Sequence, residues 1–191
     1  MIICVLRSGG EYTARHVARL REQIPPTVQM TCLTDMPLRL PGVTAHQLVH
    51  KWPGWWSKIE VFRPHVTIGP AVYLDLDSTI HGDITQLYRD AMTACTDFIR
   101  PENINSSVMA WNVAPVWVYD AMRQNPDKIM AKYRRWPRLG DQALIQDTVE
   151  CEVFEPGLVR SYRKECQDGV PDGTIVVTYH GRPKPWELKS H

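Results

Sequence analysis

Apolar positions along the chain come in two spacings. Short β-branched and aliphatic runs alternate with stretches whose apolar residues recur every three or four positions, which predicts an α/β chain. Ile2–Leu6 reads as a strand, Ser8-Gly9-Gly10 as a tight turn, and Tyr12, Ala14, Val17, Ala18, Leu20 and Ile24 as one face of a helix stopped by Pro25-Pro26. Residues 28–33 give a second strand ending at Thr34-Asp35, and 43–48 a third. Trp52, Trp55 and Trp56 crowd the next segment, after which Ile59, Val61 and Phe62 fit a short amphipathic helix. The central apolar run, 69–80, ends in Asp75-Leu76-Asp77.

Beyond it the pattern predicts a helix over 83–94, a strand over 97–100 and a strand near 103–112 preceded by the polar Asn105-Ser106-Ser107. Helices follow over 115–123 and 126–136, and another starts near Leu139, with Asp141 at its cap and Gln142 just inside. Short strands are expected at 150–154 and 158–162, a surface loop at 167–173, and a strand over 174–179 that delivers His180-Gly181-Arg182-Pro183-Lys184-Pro185-Trp186.

A length of 191 residues fits one domain, 1–191, with a sizeable core. Lysine and arginine total 22 against 21 aspartate and glutamate, so no global field draws in nucleic acid or an anionic membrane, and an anionic ligand must meet local charge. The five cysteines contain no Cys-x-x-Cys pair, which points away from a zinc site or disulfide framework and toward a reducing compartment. The apolar N-terminal run is too short for a signal peptide or a membrane span. These features predict a soluble, cytoplasmic protein.

The residues also suggest chemistry. In a strand, Asp75 and Asp77 share one face, and paired carboxylates are the oxygen ligands that Mg²⁺ or Mn²⁺ prefers. The plain alternative is a polar strand terminator. The turn at Ser8 and Gly9 presents backbone N–H groups at a helix start, as phosphate or nucleotide binding requires. Lys58, just before the Asp-x-Asp run, could reach a phosphate or sugar hydroxyl, or could be a solvated helix charge. The terminal segment places an imidazole, two cations and a tryptophan in a proline-stiffened frame, with Lys184 expected to be solvent-facing.

Taken in order, Ser57-Lys58-Ile59, Tyr73-Leu74-Asp75-Leu76-Asp77, Asn105-Ser106-Ser107-Val108-Met109, Gly140-Asp141-Gln142-Ala143-Leu144 and His180-Gly181-Arg182-Pro183-Lys184-Pro185-Trp186 resemble the family 8 glycosyltransferases, which include glycogenin and bacterial lipooligosaccharide galactosyltransferases. The chain departs from the family pattern where His180 directly abuts Gly181. The resemblance implies a single-domain type-A glycosyltransferase-like (Rossmann-like) fold, with a central, mostly parallel sheet flanked by helices. It also implies a nucleotide-diphosphate sugar donor, with a UDP-sugar expected, an unknown acceptor, Mn²⁺ or Mg²⁺ as cofactor, and transfer with retention. By the same resemblance Asp75, Asp77 and His180 are metal ligands, and Leu6, Ser8 and Tyr12 form the nucleotide-binding turn, with Asp75 also near the ribose. Lys58, Asn105, Asp141 and Gln142 contact the donor sugar, Asp141 or Gln142 being the catalytic candidates, and Lys184 binds the diphosphate.

Two other readings remain open from sequence. Asp75-Leu76-Asp77-Ser78-Thr79 also fits the Asp-x-Asp-x-Thr signature of haloacid-dehalogenase-like phosphatases, with Asp75 as nucleophile. That motif normally ends the first strand of its domain, which this one does not. A non-catalytic nucleotide-sugar-binding domain is the third reading.

Overall fold

The computed structural model describes residues 1–135 and 138–188. Its strands are β1 (Ile2–Leu6), β2 (Met30–Thr34), β3 (Val43–Gln47), β4 (Ala71–Leu74), β5 (Ser78–Ile80), β6 (Thr93–Thr96), β7 (Ile104–Trp111), β8 (Arg134–Arg135), β9 (Arg138–Leu139), β10 (Glu152–Val153), β11 (Val159–Ser161) and β12 (Val176–Thr178). Its α-helices are α1 (Ala14–Glu22), α2 (Val116–Gln124), α3 (Pro126–Lys132), α4 (Gly140–Thr148) and α5 (Tyr162–Glu165).

Seven strands form the main sheet in the order β10-β6-β7-β4-β1-β2-β3, and β7 alone runs against its neighbours. Alternation along β1 and β4 sends Ile3, Ala71 and Tyr73 into one apolar layer and Ile2, Cys4, Leu6, Val72 and Leu74 into the other. The first layer is covered by α2, α4 and a 3₁₀ helix, Gly54–Phe62. The second is covered by α1.

A smaller sheet, β11-β12-β5, leans against this frame. β12 pairs antiparallel to β5, with Thr178 opposite Ser78. That register brings the chain out at Tyr179 and His180 beside Asp77.

Several expectations are corrected. Residues 83–94 are not one helix: Asp83 caps only a 3₁₀ turn, Ile84–Leu87, and Thr93–Thr96 pair with β7 instead. Cross-strand pairing outweighs local helical spacing here. Residues 97–100 are a turn and not a strand, because Asp97 Oδ1 accepts the backbone N–H groups of Ile99 and Arg100. The segment bearing Lys58 is a 3₁₀ helix whose residues 56–62 are all buried, so from Trp56 onward it has no solvent face. Leu139, not Asp141, caps α4, and Asp141 lies in its first turn. The helix expected to end at Trp136 stops at Lys132; Trp136 itself lies outside the described residues.

The most consequential difference concerns Asp75 and Asp77. The strand ends at Leu74, and Ser78 N–H donates to the Asp75 carbonyl at 3.1 Å, closing a turn that carries both carboxylates. They therefore do not share a strand face, but they do stand at the carboxyl end of a central strand, where open α/β sheets hold ligands. Phe62 and Trp111, both fully buried with ring centroids 5.1 Å apart, fix the 3₁₀ helix of Lys58 against β7. A Phe62→Ala variant should lose about 3–5 kcal/mol in urea unfolding, and a loss well under 1 kcal/mol would show that this packing does not hold the helix.

Candidate functional site

Two adjoining cavities open along the carboxyl edge of β1 and β4. The larger, about 670 Å³, is bounded by the turn after β1, including Ser8, Gly9 and Tyr12, and by Trp55 and Lys58. The smaller, about 240 Å³, is bounded by Asp77, Asn105, Asp141, Gln142 and His180. Trp55, Lys58 and Asp75 line both. The structure thus gathers at one edge side chains that lie far apart in sequence.

Lys58 is the electrostatic centre. Its Nζ lies 3.1 Å from Asp75 Oδ1, 3.3 Å from Asp141 Oδ2, and 3.1 Å from both the carbonyl and hydroxyl oxygens of Ser106. Ser106 Oγ donates to Asp141 Oδ2 at 2.7 Å, and Tyr73 OH donates to Asp75 Oδ1 at 2.6 Å. Burial alone would lower the Lys58 pKa, but Asp141 and Asp75 outweigh it, and the ammonium titrates above its ordinary range. Asp75 moves up, because burial outweighs the pull of Lys58, and Asp77 adds repulsion. Lys58 is therefore a fixed internal cation and not the solvated charge its helix position allows.

The second centre is Asp77. Lys184 Nζ pairs with its Oδ2, which also accepts from Tyr12 OH at 2.9 Å. The same ammonium lies 3.2 Å from Tyr12 OH and from the Tyr179 carbonyl. Lys184 was expected to face solvent, yet its side chain is only 8 % exposed. The reason is the docking of the terminal segment. Trp186 packs edge-on against Tyr12 at 5.9 Å and against His16 at 4.2 Å, while Glu187 Oε2 accepts the Lys184 backbone N–H at 2.7 Å.

His180 faces the smaller cavity with its ring stacked on Phe98 at 5.4 Å and its Nε2 2.6 Å from Ser161 Oγ. Burial, aided by Arg163, lowers its pKa, so the imidazole is neutral near pH 7 and able to bind a cation. Gln142 Nε2 reaches Asp97 Oδ2 at 3.4 Å, and Asn105 Oδ1 accepts the Ser107 N–H at 2.9 Å. Leu6, expected in the nucleotide-binding turn, is instead fully buried in the core and paired with Thr34 of β2, and it bounds neither cavity; its neighbours Val5 and Arg7 line the larger one. Ser8 is held by Asp35, which accepts its N–H at 2.8 Å and its hydroxyl at 2.5 Å. Slight burial raises the Asp35 pKa, but these bonds and Arg7 outweigh it, and the carboxyl titrates below its ordinary value.

Sequence reasoning missed Tyr73, Ser106 and Asp35 as partners of the site. Tyr73 and Ser106 sit inside motifs already singled out, and Asp35 ends a strand next to β1. Trp55 was visible only as part of a tryptophan cluster, whereas the structure leaves it 55 % exposed at the junction of the cavities. Gly140 explains its position: with φ at +74°, a Cβ there would lie 2.9 Å from Trp55 Nε1.

No family model matches the chain. No curated protein matches it either. Solved structures do. The galactosyltransferase LgtC in complex with donor and acceptor sugar analogues superposes with a TM-score of 0.69 at 11 % identity, covering 97 % of this chain and 88 % of that one. The glycosyltransferase GlyE of Streptococcus pneumoniae TIGR4 gives 0.70 at 15 % identity, covering 100 % of this chain but 57 % of that one. The bifunctional glycosyltransferase WbbM gives 0.63 at 8 % identity over 97 % of this chain and 46 % of that one. The fold is a type-A glycosyltransferase fold. The carboxylates follow β4, which β1, β2 and β3 precede, so they do not end the first strand of the domain as the phosphatase signature normally does. Among the described residues no helix is long and apolar enough to cross a membrane.

Of the three carboxylates lining the smaller cavity, Asp75 and Asp77, together with the neutral His180 imidazole, are a donor set that suits a hard or borderline divalent ion. Among the described residues, however, no three such groups are drawn together closely enough to hold one; Lys184 engages Asp77, and Ser161 engages His180.

Two tests follow from this geometry. Lys58→Met strips the cation from Asp75 and Asp141 and should cost about 3 kcal/mol, the low end for breaking a buried pair, because the Asp75 side chain is 32 % exposed. Asp75 then rises further. A carboxyl whose folded pKa lies above its unfolded value favours folding at low pH and loses that contribution as pH rises, so the deficit against wild type should widen from pH 5 to pH 8. Denaturant midpoints across that range read it, and a pH-independent deficit would contradict the assignment. Gly140→Ala should cost about 1–3 kcal/mol through left-handed strain and should shift Trp55 fluorescence.

Proposed function

We propose that the protein is a metal-dependent glycosyltransferase that moves a sugar from a nucleotide-diphosphate donor, a UDP-sugar, to a separate acceptor with retention of configuration, working in the cytoplasm. The observation that carries this reading is the joining of two cavities at Lys58 and Asp75, on a fold shared with LgtC and GlyE. The larger cavity has room for a nucleoside, and the smaller has the polar lining a pyranose needs.

In this reading the Ser8 turn holds the base, Tyr12 flanks it, and Asp75 lies near the ribose. Asp75, Asp77 and His180 would hold Mn²⁺ or Mg²⁺. Such an ion, when bound, stabilises charge on the departing diphosphate without a proton donor. Lys184 supplies a second positive charge to the diphosphate, from a position between Tyr12 and Asp77. Lys58 and Asn105 orient the sugar hydroxyls. Asp141, fixed by Lys58 and Ser106, keeps its carboxylate pointed into the sugar cavity. Gln142 lies beside it to stabilise positive charge developing at the anomeric carbon.

A thermal-shift panel of nucleotide sugars with and without Mn²⁺ tests the reading. A donor at a hundred times its Kd should add about 2.7 kcal/mol of stability, and only when Mn²⁺ is present. Asp77→Asn should abolish that dependence. Because Asp77 is also the partner of buried Lys184, the variant should melt below wild type as well. Full transfer activity in excess chelator would exclude the metal role. Binding of UDP without metal, with no sugar ever transferred or hydrolysed, would favour the non-catalytic binding domain instead.

A further inference from the structure

We propose that Lys184 is a built-in counter-ion that holds the metal position of Asp77 until a diphosphate draws it away, so that the species this site accepts is the preformed complex of divalent ion and nucleoside diphosphate and not the free ion. The inference rests on the functional reading above and extends it to the form of the ligand and the order of binding.

The geometry points to competition for one atom. Asp77 Oδ2 is engaged by both the Lys184 ammonium and Tyr12 OH, and the Asp77 side chain is 9 % exposed. The ammonium makes further contacts of 3.2 Å to the Tyr179 carbonyl and 3.9 Å to Glu11 Oε1, so it is seated in a pocket of oxygen atoms as a small cation would be. The seat is built: Glu187 fixes the Lys184 backbone, and Trp186 anchors the segment on Tyr12 and His16.

Charge decides the order of events. Asp75, Asp77 and Asp141 face Lys58 and Lys184, with Glu11 also 3.9 Å from Lys184, so the carboxylates an arriving ion needs already have an ammonium beside them. A free divalent ion must therefore approach a buried ammonium at short range, where repulsion in a partly desolvated site is strong. A diphosphate reverses this, because its oxygens offer Lys184 a new anionic partner on the nucleotide side of Asp77, next to Tyr12. The lysine is then released by the same ligand that brings the ion.

Calorimetric titration separates the two roles. For Mn²⁺ alone, Lys184→Gln should bind on the order of tenfold more tightly than wild type, while Lys184→Arg, which keeps the charge, should resemble wild type. For UDP at saturating Mn²⁺ the sign inverts, and Lys184→Gln should bind ten- to a hundredfold more weakly. Should Lys184→Gln fail to fold, Glu187→Gln at the surface loosens the same segment and should tighten Mn²⁺ binding severalfold. Unchanged or weaker Mn²⁺ affinity in the folded variants, with the UDP effect retained, would overturn the counter-ion role and leave the functional reading standing. Absence of Mn²⁺ binding to wild type and to every variant, with UDP present, would overturn both.

Discussion

Three carboxylates crowded at one sheet edge cannot be buried without cations, and the chain supplies two of its own. Lys58 comes from a helix that packs on one face of the sheet, Lys184 from a segment that docks on the helix of the other. The polar centre is thereby tied to both apolar layers. Loosening either layer would withdraw a cation, and the carboxylates would then bear the full cost of desolvation.

The topology explains why the charges meet there. With β1 in the middle of β2 and β4, the chain turns outward in different directions after neighbouring strands and leaves a crevice at their carboxyl ends. The turn after β1 contributes Ser8, the end of β2 contributes Asp35, and the turn after β4 contributes both aspartates. The small sheet serves the same end, since its register with β5 fixes where His180 and Lys184 emerge.

Much of this was legible in the sequence where one physical signal dominated. The apolar runs 2–6, 30–33 and 71–74 are buried on both faces and leave no ambiguity of type, and the ordered motifs hold most of the side chains that line the smaller cavity. Failures came where distant pairing decided the outcome. Residues 83–94 have helical spacing, but Thr93 to Thr96 find a partner in β7 that local reading does not reveal. The Asp75 to Asp77 turn was hidden because Ser78 and Thr79 continue the β-prone pattern into a different sheet. Lys184 was misjudged because its burial depends on Trp186 reaching a helix at the other end of the chain.

The same docking joins Lys184 to Tyr12, residues 172 positions apart. In a chain emerging from the ribosome Asp77 is made 107 residues before Lys184, and until then it lacks its ammonium partner. Contacts of such separation form late in folding because closing the loop costs entropy first. The same arithmetic applies to damage. A single cut between Gly181 and Lys184 would keep every strand of both sheets and every residue bounding the two cavities on one side of the break, and the ammonium that partners Asp77 on the other.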